Sequence, residues 1–152
     1  MSADGFAFLD GEWRVHNRRL ADFLDPESGW KEFAGRTTGR LFWDGRAHVD
    51  EIVFPSEGFS GLTLRLYEPE TGEWTLNWSN SRTARLDPPV RGRFAADGTG
   101  EFHGTDDYAG RPVRVRFRWS GIGPRTARWE QAFAAAGTEA WVTNWVMEFS
   151  RA

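Results

Sequence analysis

The sequence predicts an all-β fold, a single antiparallel meander β-barrel of about ten strands with little helix. Three observations predict it. Apolar and polar residues alternate with period two along most of the 152 residues, the pattern of strands that bury one face. Turn signals rich in Gly, Pro and Asp separate these runs, and no helical pattern stands between them to make a crossover. Aromatic residues make up 15% of the chain, with 9 Trp and 12 Phe against 2 Tyr and 2 Met, and rings of this bulk fill a barrel or line a cavity in it. A sheet this long and twisted tends to close, which removes its edges. A β-sandwich is the structural rival.

The elements follow in order. Phe6 to Leu9 reads as one helical turn closing a barrel end, and the first strand runs from Gly11 to Leu20. Ala21 to Gly29, with Pro26, is a loop. Strands are expected from Trp30 to Trp43, Ala47 to Phe54 and Phe59 to Tyr67, separated by the hairpin signal Asp44-Gly45 and a turn over Pro55 to Gly58. Leu62, Leu64 and Leu66 alternate with Thr63, Arg65 and Tyr67, so one face of that strand is apolar. Pro69 to Gly72 turns into Trp74, Leu76 and Trp78. Ser79 to Pro89, carrying Arg82, Arg85 and Asp87-Pro88-Pro89, reads as a loop shaping a barrel mouth. Short strands near Val90 to Phe94 and Gly100 to Thr105 flank Asp97-Gly98, and Pro112 to Trp119 alternates Val113, Val115, Phe117 and Trp119 with an outward row of Arg114, Arg116 and Arg118. Thr126 to Ala134 and Ala140 to Phe149, around Gly137, complete one domain over residues 1–152.

Composition excludes several functions. With no Cys there is neither disulfide nor thiolate chemistry, and a reducing cytoplasm is the expected compartment. The opening MSADGFAFLDGEWRV has no basic n-region and no long apolar run, so neither secretion nor membrane spanning is expected. A net charge of −3 and a pI near 5.6 argue against nucleic acid as a partner. Of the 19 basic residues only Lys31 is lysine, an excess of Arg that codon bias explains as readily as anion recognition.

The segment Phe8-Leu9-x-Gly11-x-Trp13 resembles the opening of the calycin superfamily, in which the indole of a Gly-x-Trp plugs one barrel end beneath a basic residue from the last strand region. Arg151 is the residue that the resemblance points to, as a cation over the Trp13 ring. The wider pattern of Gly11-Glu12-Trp13-Arg14-Val15, Gly61-Leu62-Thr63-Leu64-Arg65-Leu66, Arg128-Trp129-Glu130-Gln131 and Asn144-Trp145-Val146-Met147-Glu148-Phe149 resembles the lipocalin-like bacterial family DUF1579 over nearly the whole chain. That resemblance implies a barrel and no particular activity. A haem barrel of the nitrobindin kind would use an axial His, and none falls on the last strand pair.

His16, His48 and His103 lie on separate strands without metal-ligand spacing, so no metal and no cofactor is expected. The candidate proton-transfer groups are His16, Glu51 and Glu130, each needing to face the interior. Adjacent polar pairs His16/Asn17, Asp50/Glu51, Glu130/Gln131 and Asn144/Trp145 should each send one member inward by alternation. The candidate ligand-binding residues are Asn17, Asp50, Asn77, Trp78, Arg82, Trp129, Gln131, Asn144 and Trp145, which offer amide hydrogen bonds, ring stacking and charge. Two functions are therefore expected to compete. One is a cofactor-independent isomerase, cyclase or lyase on an apolar, ring-bearing substrate, and the other is a carrier or sensor of a small-molecule ligand. A homodimer is compatible with either.

Overall fold

The computed structural model describes residues 5–152, so the first four residues of the expected domain lie outside the described residues. Ten strands form one closed antiparallel barrel: β1 (Gly11–Leu20), β2 (Trp30–Phe42), β3 (Ala47–Phe54), β4 (Phe59–Glu68), β5 (Glu73–Asn80), β6 (Val90–Phe94), β7 (Gly100–Tyr108), β8 (Arg111–Ser120), β9 (Thr126–Ala135) and β10 (Val142–Arg151). Each strand pairs with its sequence neighbours, and β1 also pairs with β10, so no edge is left. Eight strands suffice for a barrel whose interior just admits side chains or one small ligand, and ten leave more room. The helical content is two 3₁₀ turns, Ala7–Leu9 and Pro55–Glu57, and no helix among the described residues is long and apolar enough to cross a membrane.

One end is sealed by aromatic packing. The Ala7–Leu9 turn carries Phe6 into the barrel, where its ring meets Trp74 and Phe94 edge-on, each with centroids 5.0 Å away. Trp13, Trp74, Trp119 and Phe102 are buried around it. The Arg151 guanidinium lies 4.0 Å from the Trp13 ring centroid and donates to the carbonyls of Phe8 and Asp10. The last strand thus latches the plug by both a cation–π contact and backbone hydrogen bonds. The open end carries the Ala21–Gly29 loop, the Pro55–Glu57 turn and the Ser81–Pro89 loop.

Register decides which residues enter. Cross-strand partners in an antiparallel pair point to the same side, and β3 pairs with β4 as Phe54↔Phe59, Ile52↔Gly61, Asp50↔Thr63 and His48↔Arg65. Because Phe54 and Ile52 are core residues, Thr63 and Arg65 are carried inward with them and buried. The apolar face of β4 is consequently the outer one, with Leu62 53% and Leu64 37% exposed. On β8 the arginine row does lie outside, where Arg114 and Arg116 both stack on Trp141 from the β9–β10 connection. β5 and β7 run further than expected, to Asn80 and Tyr108, because their neighbours continue the ladder past the residues of high strand propensity.

Candidate functional site

The barrel encloses a cavity of about 220 Å³ that opens at the end opposite the plug. An engineered apolar cavity of about 150 Å³ takes up benzene, whereas pockets for drug-sized ligands start near 300 Å³. The enclosed space therefore suits one or two rings. Its walls are Trp78, Trp119, Trp129, Trp145, Phe117 and Phe133 together with Leu76, Val115, Met147 and Phe149. Gly61 makes room for one of them, since a Cβ there would stand 1.9 Å from the Trp78 ring.

Polar groups enter at two levels. Deep in the barrel, Arg65 forms a buried ion pair with Asp50, Nη1 to Oδ1 at 3.2 Å, and the same Nη1 donates to His48 Nδ1 at 3.0 Å. Accepting at Nδ1 leaves the His48 proton on Nε2. Burial, and then the positive charge of Arg65, bring the His48 pKa down to about 3, so the imidazole is neutral. Gly39 clears space for that ring, because a Cβ there would lie 2.8 Å from His48 Cε1 and Nε2. Asp50, Arg65, Thr37 and Thr63 reach the cavity wall.

At the mouth stand Arg19, Phe23, Asn80, Asp87 and Asp106. The Arg19 guanidinium lies 4.6 Å from the Trp145 ring centroid and 4.9 Å from that of Phe23. Burial, then the charge of Arg82, lower its pKa from the ordinary arginine value. Phe23 is held over the opening by its own backbone: its N–H donates to Tyr108 Oη at 3.0 Å and its carbonyl accepts from Asn144 Nδ2 at 3.3 Å. On the rim, partial loss of solvent around the Asp87 carboxyl and then the nearby Asp106 carboxylate raise the Asp87 pKa above its ordinary value.

The expected residues divide by facing. Asp50, Trp78, Trp129, Gln131 and Trp145 line the cavity. Asn17 and Asn144 are inside but fully buried behind the wall. Asn17 Oδ1 accepts from Trp145 Nε1 at 3.0 Å and its Nδ2 donates to the Phe33 carbonyl, while Asn144 Oδ1 accepts from Gln131 Nε2 at 2.8 Å. Both thus orient wall residues. Of the four adjacent pairs, Asn144/Trp145 breaks the one-in, one-out expectation, because a register shift between Thr143 and Trp145 turns both side chains inward.

His16, Glu51 and Glu130 all point outward, since alternation gives the inward places to Asn17, Asp50 and Gln131. His16 is 53% exposed with Nε2 2.7 Å from Glu32, Glu51 is exposed, and Glu130 accepts from Arg128 Nε at 3.1 Å. None of the three reaches the cavity. Asn77 also faces outward, donating to the Leu64 carbonyl at 3.0 Å. Arg82 sits on the rim loop, 4.3 Å from the Phe59 ring centroid and donating to the Glu57 carbonyl at 2.7 Å. The three histidines do not converge, His16 and His103 being outside and His48 inside, and no group of three potential metal ligands exists among the described residues.

Sequence reasoning passed over Arg19, Arg65, Asp87 and Asp106. Arg19 had a usable signal: it shares parity with Trp13, Val15 and Asn17, so an inward plug at Trp13 implies an inward Arg19. Arg65 had none in its own strand, whose leucines suggested the opposite facing.

No family model and no curated protein matches the chain, so DUF1579 membership stays a resemblance. Among solved structures, the S-type phycobiliprotein lyase CPES from Guillardia theta is similar, with a TM-score of 0.59 over 97% of this chain and 90% of that one at 14% sequence identity. At that identity the likeness is one of fold, the closed antiparallel barrel described above.

Proposed function

We propose that this chain is a small-molecule-binding barrel that holds an apolar compound of one or two rings, and that it acts as a carrier or sensor. The observation that carries this reading is the cavity of about 220 Å³ walled by four indoles and the rings of Phe117 and Phe133. Binding is favoured over catalysis because the three groups expected to move protons lie outside the barrel, while Asp50 is already committed to Arg65. Asp50, Trp78, Trp129, Gln131 and Trp145 are the proposed contact residues, with Asn17 and Asn144 positioning the wall and Arg82 shaping the rim.

One observation favours a second reading, a cofactor-independent isomerase, cyclase or lyase. Asp87 stands at the cavity mouth with a pKa raised by partial desolvation and by Asp106, a direction that suits a carboxyl that gives and takes a proton. The structural neighbour is named as a lyase, so a barrel of this layout serves an enzyme elsewhere.

Titration calorimetry with the neutral probe 2-naphthalenemethanol tests the first reading. Saturable one-to-one binding is expected, weakened about tenfold or more when Trp129→Asp places a charge in the wall. An absence of binding, or binding indifferent to that substitution in a folded variant, contradicts it.

A further inference from the structure

Charge in the barrel interior is matched at depth and unmatched at the mouth. Arg65 has Asp50 at 3.2 Å. Arg19 has no carboxylate within ion-pairing distance among the described residues, and its Nε is buried without a hydrogen-bond partner. The carboxylate felt most strongly by Arg19, that of Glu57, is taken by Lys31 at 2.9 Å and Ser56 at 2.9 Å. Its neighbour Arg82 is engaged by Phe59 and the Glu57 carbonyl, and so adds positive potential without supplying an acceptor.

The Arg19 guanidinium is held rather than loose. It stacks against Trp145 and Phe23, at 4.6 and 4.9 Å from their centroids, and all three side chains line the cavity. These two contacts hold the guanidinium at the mouth, and because its Nε–H is enclosed, the Nη donors are the ones that a ligand's acceptor would meet. Asp87 and Asp106 also line the cavity at its mouth, so an anionic group is disfavoured beside them and favoured beside Arg19. The polarity of the opening thereby orients whatever enters.

We infer that the ligand of the proposed barrel is an apolar ring compound bearing an anionic group such as a carboxylate, with the rings among the cavity indoles and the acid group received by Arg19 at the mouth. This rests on the binding-barrel reading and adds the ligand's chemical class to it.

Calorimetry with three probes of one shape separates the two statements: 2-naphthoate, neutral 2-naphthalenemethanol and cationic 2-naphthylmethylammonium. In the unaltered protein at low salt, naphthoate is expected to bind about tenfold or more tighter than the alcohol, the gain from one charge-assisted contact. Arg19→Gln should bring the acid and the alcohol within about twofold of each other, the acid losing affinity relative to the alcohol measured in the same variant, while Arg19→Lys keeps part of the preference. Raising salt should narrow the preference in the unaltered protein, a readout that needs no variant. Equal affinities, a preference for the cation, or a preference for the acid that survives Arg19→Gln would each overturn the inference while leaving the barrel reading intact. Failure of all three probes to bind would overturn both.

Discussion

His48 is the side chain through which solution pH acts most directly on this barrel. Its pKa is brought down to about 3 in the folded protein, by burial first and by the Arg65 charge second. In the unfolded chain an imidazole takes up its proton below about pH 6.5. Between those two values the unfolded state binds more protons, so stability falls as pH drops through that window and is fully present above it. The slope is at most about 1.4 kcal/mol per pH unit. His48→Gln keeps a polar side chain without the titration, so urea unfolding should show the unaltered protein losing more stability than the variant between about pH 7 and pH 5. Parallel profiles would mean that His48 is protonated in place. The same residue marks a limit of sequence reading: His48 carries no motif, and it becomes special only because register sets Arg65 across from it and Gly39 leaves it room.

Strands show which part of the pattern is legible. Period two announces that β4 has two faces without saying which is inside, and the leucines suggest the wrong answer. Leu62 lies outside because β4 inherits its facing from Phe54↔Phe59 at the hairpin, and the interior tolerates Thr63 and Arg65 because Asp50 and His48 are there to meet them. Leu62→Ser should therefore change unfolding free energy by only about 0.5 kcal/mol, where truncating a core leucine costs about 2–5 kcal/mol. A loss of the larger size in a urea titration would contradict this register. On β1 the parity was readable, since the Gly11-x-Trp13 opening fixes the inward set that ends in Asn17 and Arg19. On β10 it was not, because nothing in Thr143-Asn144-Trp145 announces the bulge that sends two neighbours inward.

Over the whole molecule, the aromatic residues do two jobs that composition cannot tell apart. Phe6, Trp13, Trp74 and Phe102 close one end, while Trp78, Trp129, Trp145 and Phe133 wall a space left empty by protein. Barrel and strand order were legible because turn chemistry and alternation are local signals, and the plug through the resemblance of Gly11-x-Trp13 to the calycin opening. The site was legible only in part, since it is assembled from ten strands and a polar residue's role depends on its partner across the sheet. The nine tryptophans also supply an internal control. With the side-chain indole N–H groups labelled with ¹⁵N, adding 2-naphthalenemethanol should shift the resonances of Trp78, Trp119, Trp129 and Trp145, which line the cavity, and leave those of Trp30 and Trp43, 41% and 66% exposed on the outside, where they were. Shifts confined to Trp30 and Trp43, or none at a saturating concentration, would contradict an interior binding site.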